Sequence, residues 1–181
     1  MFQRLFGRAP AFSRDVTDAL YEQIVAAARQ PVLYSDWNVP DTPLGRFEML
    51  SLHMLLVQHR LRPEQEAFGE IAQVLIDQFF TDLDHSLREL GIGDLGVPKR
   101  IKKLAKMFYG RTASYAEALD RDDRAALSAA LARNVRPGVE DWAEAPALAA
   151  YAMQARDGLD AQPASAILTG KVTFPSAGGS A

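Results

Sequence analysis

Residues 43–61 read PLGRFEMLSLHMLLVQHRL, and this stretch decides the fold class. Thr42 supplies a helix cap, and Pro43 suits the first helical position, where a missing N–H breaks no helical hydrogen bond. Leu44, Phe47, Leu50, Met54, Val57 and Leu61 recur at steps of three and four, the period of an α-helix. Leu52, Leu55 and Leu56 put apolar side chains on further faces, so this helix is expected to be central and buried nearly all round. Its most apolar run, Met49 to Val57, is interrupted by Ser51 and His53. A membrane span needs about 20 mostly apolar residues, so the stretch reads as a core helix.

Working outward, the same period recurs on both sides. Upstream, Val16, Leu20, Ile24, Val25 and Ala28 form a stripe behind Asp15, a plausible cap, and end near Pro31. Between Pro31 and Asp41, Val32, Tyr34 and Trp37 lack helical spacing and read as an ordered, aromatic-anchored loop. Downstream, Phe68, Ile71, Ala72, Leu75, Phe79, Leu83, Leu87 and Leu90 predict one long helix, or two breaking near Thr81, with Gly91 just past the end. A glycine-rich link then leads through Pro98 to a basic helix, about Lys99 to Tyr109, which Gly110 is expected to stop. Further helical signals start near Ser114, after Asp123 and at Pro146. The expected fold is all-α, a single-domain orthogonal helical array with ordered loops and a short C-terminal tail. Its core is expected to include Leu20, Ile24, Phe47, Leu50, Met54, Leu75 and Phe79. Residues 1–14 read as a flexible basic segment, 15–160 as the helical domain and 161–181 as a mostly irregular, frayed tail in which only Lys171 to Phe174 looks extended.

Composition narrows the chemistry. The 181 residues carry a net charge of −3, so the whole molecule is no general nucleic-acid binder and DNA is not an expected partner. Cysteine is absent, which removes disulfides, thiolate metal sites and cysteine nucleophiles together. The opening MFQRLFGRAPAF lacks the apolar stretch of a standard signal peptide, so a cytoplasmic location is expected. Phe2, Leu5 and Phe6 alternate with Arg4 and Arg8, an arrangement suited at most to weak contact with a membrane interface. No G-x-S-x-G, P-loop, dinucleotide fingerprint or HExxH is present, and no enzymatic role is expected.

One charge pattern stands out. Lys99, Arg100, Lys102, Lys103, Lys106 and Arg111 fall in a stretch with no acid between Asp94 and Glu117. Ile101, Leu104, Ala105 and Phe108 form the opposite stripe, so docking that stripe presents the cations outward. Such a face suits anionic lipid or RNA, although a merely solvated helix has the same pattern. His53 and His59 lie about 240° apart around a helix and do not share a face. Asp82 and His85 have carboxylate-x-x-His spacing, but matching acids on other helices are missing, so no metal or other cofactor is expected. His53 reads as a hydrogen-bonded core histidine. Asp84 and Arg88 have the favourable order for a helical ion pair. Tyr34 and Trp37 are a second candidate partner-binding element.

Several blocks taken in order resemble the ubiquinol-cytochrome c chaperone family. They are Tyr34 with Val39-Pro40-Asp41-Thr42, Gly45-Arg46-Phe47-Glu48-Met49 with Leu52-His53, and Phe80-Thr81-Asp82-Leu83-Asp84. Next come Leu87-Arg88-Glu89-Leu90-Gly91-Ile92-Gly93-Asp94, Val97-Pro98-Lys99-Arg100-Ile101-Lys102 and Phe108-Tyr109-Gly110-Arg111 with Tyr115. The resemblance covers Tyr21 to Leu119, with a weaker echo at Leu168, Gly170, Val172, Phe174 and Pro175. It implies a non-enzymatic assembly chaperone for cytochrome b of respiratory complex III, peripheral at the inner membrane. Mitochondrial members associate with the ribosome and a small partner protein; this short chain looks like a bacterial member. The alternative from another class is a ribosome- or RNA-associated helical factor using the same basic helix. The resemblance carries over no catalytic residue.

Overall fold

The computed structural model describes residues 14–179, apart from the side chains of residues 64–68. The helices are α1 (Arg14–Ala28), α2 (Pro31–Ser35), α3 (Pro43–Leu61), α4 (Gln65–Glu89), α5 (Val97–Asp120), α6 (Arg124–Val135), α7 (Ala145–Asp160) and α8 (Ala164–Leu168). A 3-10 turn, Arg62–Glu64, joins α3 to α4. The described residues contain no strand, and the fold is all-α.

α3 is the hub, as its apolar residues on several faces indicated. Thr42 caps it by accepting the Gly45 N–H at 3.2 Å. Met49, Leu52, Met54, Leu55, Leu56 and Val57 are all buried, and α1, α4, α5, α6 and α7 pack around them. Gly45 is required here: a Cβ would lie 1.9 Å from the Pro40 carbonyl oxygen. Phe47 stacks on Phe79 with ring centroids 5.9 Å apart, and Phe79 meets Phe108 at 5.2 Å. This aromatic seam fixes α4 and α5 to the hub. Of the expected core, Leu20, Ile24, Phe47, Met54, Leu75 and Phe79 are buried, whereas Leu50 is half-buried at the edge. Leu44 is exposed, on the outer side of the first turn of α3, in which Gly45 is buried.

Several local expectations change. Asp15 lies within α1, which already includes Arg14. The segment after Pro31 opens with one helical turn, α2, started by proline at its first position and burying Leu33. Thr81 does not break α4: its hydroxyl donates to the Asp77 carbonyl at 2.8 Å, so a poor helix former stays satisfied within a continuous helix. Gly110 does not stop the basic helix, which runs on to Asp120. A glycine inside a helix costs about 1 kcal/mol, and burial of Phe108, Tyr115, Ala118 and Leu119 on both sides of it outweighs that. Gly91, by contrast, ends α4 as expected, at φ +79°, with Ile92 N–H bonded to Leu87 O and Gly91 N–H to Arg88 O.

Apart from α8 the tail is irregular, but within the described residues it is pinned rather than frayed. Ile167, Val172 and Ala177 are buried against the bundle. The N-terminal segment, with Phe2, Arg4, Leu5, Phe6 and Arg8, lies outside the described residues. No helix among the described residues is long and apolar enough to cross a membrane.

Candidate partner interface

The outer halves of α4 and α5 form an arm. From Phe80 to Met107 only Val97 is buried, whereas Phe79 and Phe108, at its root, are both sealed in the core. Arg88 locks the turn at the far end. Its guanidinium bonds Asp84 through Nε at 2.6 Å and Asp94 through Nη1, so the charge-dense helix end ties the loop to α4.

On α5, Lys99, Arg100, Lys102, Lys103 and Lys106 are all exposed, and none makes an ion pair among the described residues. Helical geometry places Lys99, Lys102, Lys103 and Lys106 within an arc of about 100°, with Arg100 to one side. Lys99 and Arg100 sit in the first turn, where no acid is present. A helix N-terminus is already partially positive, so cations there add to the local potential instead of cancelling it. That is unfavourable for the isolated helix and favourable for meeting an anion. Apolar groups flank the charge: Leu95 is 99% exposed, Leu90 58% and Tyr109 54%. Ile101, Leu104 and Ala105 turn away from solvent only in part.

The other candidate residues go elsewhere. Arg111, expected to extend the basic face, turns inward and pairs with Glu48 of α3 at 2.7 Å; its side chain is 12% exposed and that of Glu48 1%. Burial pushes the Glu48 carboxyl up to about 7, against the pull of Arg111. Tyr34 donates its hydroxyl to the Ala28 carbonyl at 2.7 Å, and Trp37 packs edge-on to Tyr151 with centroids 5.8 Å apart. The Trp37 carbonyl also accepts Nε1–H of Trp142 at 3.0 Å. Both aromatics of that segment therefore brace α2 on the bundle and leave little free surface. Trp142 went unread in the sequence, because a lone aromatic in a loop has no period.

His53 is a core histidine, as expected. Its Nδ1 lies 2.7 Å from the Met49 carbonyl, which can only accept, so Nδ1 carries the proton and Nε2 accepts from the Tyr151 hydroxyl at 2.8 Å. Burial holds its pKa down near 4. His59 instead bonds Asp120 at 2.9 Å, beside Arg62, which reaches both oxygens of the same carboxylate. The two histidines serve separate contacts, and no group of three potential metal ligands converges among the described residues. A concavity of about 360 Å³ opens beside His59 and Arg62, floored by Leu55, Ile76 and Ala116.

The described residues thus form a helical bundle that extends a cationic arm with Leu90 and Leu95 exposed near its tip. The chain belongs to the ubiquinol-cytochrome C chaperone family, whose model matches residues 35–174. It is 52% identical to the Cbp3 homolog from Brucella abortus, whose crystal structure superposes with a TM-score of 0.85 over 91% of each chain. It is also 24% identical over 149 residues to the ubiquinol-cytochrome c reductase complex assembly factor 1 of Drosophila melanogaster. That match covers 80% of this chain but only 58% of the relative's length.

Proposed function

We propose that this protein is a non-enzymatic assembly chaperone that holds cytochrome b during biogenesis of ubiquinol-cytochrome c reductase. The observation that carries the reading is the family match across residues 35–174, and the exposed cations of α5 agree with it. The arm supplies the physical setting. Cytoplasmic loops of membrane proteins tend to be positive, so the cations of α5 would repel a client's loops. Anionic headgroups are the complementary target, at about 1 kcal/mol for each cation near the surface. Leu95 and Leu90 would enter the interface beside them. The chaperone then works peripherally at the inner membrane, where its client is inserted.

The test is affinity purification of the tagged, full-length protein from cells expressing complex III. Cytochrome b should co-purify, and deletion of the gene should lower assembled complex III. Normal assembly in the deletion strain, with no cytochrome b retained on the tagged protein, would refute the reading. Recovery of ribosomal RNA that is lost at raised salt, without binding to anionic lipid, would favour the RNA-associated alternative.

A further inference from the structure

Residues 171–176 cross the bundle without regular secondary structure, between turns at 169–170 and 177–178, and pair with no strand among the described residues. Three glutamine side chains take the place of one. Gln23 accepts the Val172 N–H at 3.0 Å and donates to the Gly170 carbonyl at 2.7 Å. Gln162 accepts the Thr173 N–H and donates to the Thr173 carbonyl, both at 2.8 Å. Gln30 accepts the Ala177 N–H at 2.6 Å and donates to the Pro175 carbonyl at 3.2 Å. A primary amide carries one acceptor and a donor side by side, as a peptide unit does. Each glutamine therefore replaces one residue of a neighbouring strand, from α1, from the cap of α2 and from the turn between α7 and α8.

All six bonds go to main-chain atoms. The side chains of the segment contribute by shape: Val172 and Ala177 are buried, and Phe174 meets the His53 ring edge-on at 5.3 Å. Lys171, Thr173 and Ser176 point to solvent. This is the logic of strand-addition recognition, in which the backbone supplies affinity and alternate side chains fill pockets. It demands apolar residues at a few positions and glycine at 170, where φ is +79° and a Cβ would lie 3.2 Å from the Val16 carbonyl oxygen.

We propose that the groove formed by Gln23, Gln30 and Gln162 is a receptor for extended polypeptide, held in cis by residues 170–177, and that an extended apolar segment of a non-native partner chain replaces them. A backbone-reading groove suits a member of a chaperone family, because an incompletely folded chain offers unpaired N–H and C=O groups whatever its sequence. The site is separate from the α5 face and does not depend on which client the protein serves. Tethering gives the cis segment a high effective concentration, so a trans ligand gains access once the strap is weakened.

The test uses the full chain carrying Val172→Asp, which puts a charge into the buried strap position and leaves the groove intact. The probe is a labelled peptide with the sequence of residues 169–178, TGKVTFPSAG, followed by fluorescence anisotropy. The variant should bind it at least about tenfold more tightly than the parent, and adding Gln162→Met should weaken that binding about tenfold. A folded variant that does not bind, or binding indifferent to Gln162→Met, would each overturn the proposal. Should Val172→Asp fail to fold, hydrogen exchange on the parent decides. Amides of Val172, Thr173 and Ala177 exchanging well before those of α3 support a releasable strap; exchange only with global unfolding overturns it.

Discussion

Arg111 of α5 reaches 2.7 Å from the carboxylate of Glu48 on α3, with Glu48 buried and Arg111 12% exposed at the helix contact. Four residues from Arg111, Tyr115 is also buried. Desolvating two charges costs several kcal/mol per ion, and the pair survives only because each offsets the other.

Removing one partner should therefore be more damaging than removing both. Glu48 titrates near 7 in the folded protein against 4.5 unfolded, so the native state binds more protons between those values. Its contribution is fully present at low pH and falls as pH rises through 7. Arg111→Leu should cost on the order of 3–5 kcal/mol at pH 8, where a lone carboxylate is left buried, and clearly less at pH 5. Glu48→Gln added to Arg111→Leu should restore part of the loss. Urea unfolding of the three proteins at both pH values checks this; an equal loss at pH 5 and pH 8 would count against it.

His53 acts in the opposite direction over an overlapping window. Its folded pKa near 4 lies below the ordinary 6.5, so the unfolded chain binds the extra proton between those values. Stability is lost as pH falls through this range, on the order of 3 kcal/mol by pH 4. Because Glu48 offsets part of that trend, the informative quantity is the difference between His53→Gln and its parent. The parent's advantage in Tm should shrink steadily from pH 7 to pH 5. A constant difference would mean that His53 is not held neutral.

Phe47 links the hub to the aromatic seam, stacked on Phe79. Phe47→Ala should cost about 3–5 kcal/mol, the range for a buried phenylalanine. Chemical denaturation showing less than about 1 kcal/mol would place the ring outside the core.

Charge reversal at Lys99, Lys102, Lys103 and Lys106 to glutamate should leave the circular dichroism spectrum and Tm near those of the parent, since all four are exposed. Sedimentation with vesicles containing anionic phospholipid should drop to the level seen with neutral vesicles. Parental binding should itself weaken with salt, because the charges lie in water. Leu95→Ser should lower vesicle binding without that salt dependence. Undiminished sedimentation of the folded quadruple variant would reduce the face to a solvated helix surface.

The sequence by itself determined the helices that carry a sustained period and the residues they bury. It also determined the cationic stretch of α5, the stop at Gly91 and the family, because these depend on spacing within one segment. Tertiary structure alone decided what happens where segments meet. Gly110 stays helical because burial on both sides exceeds a local penalty. Arg111 leaves the basic face because Glu48 stands across the helix contact, a partner 63 residues away in the chain. Tyr34 and Trp37 are drawn into bracing contacts, and an unperiodic tail becomes a strap because Gln23, Gln30 and Gln162 replace a missing strand. Local free energies leave these choices nearly balanced. The desolvation and hydrogen-bonding of distant partners tips each one, and no spacing along the chain records where those partners lie.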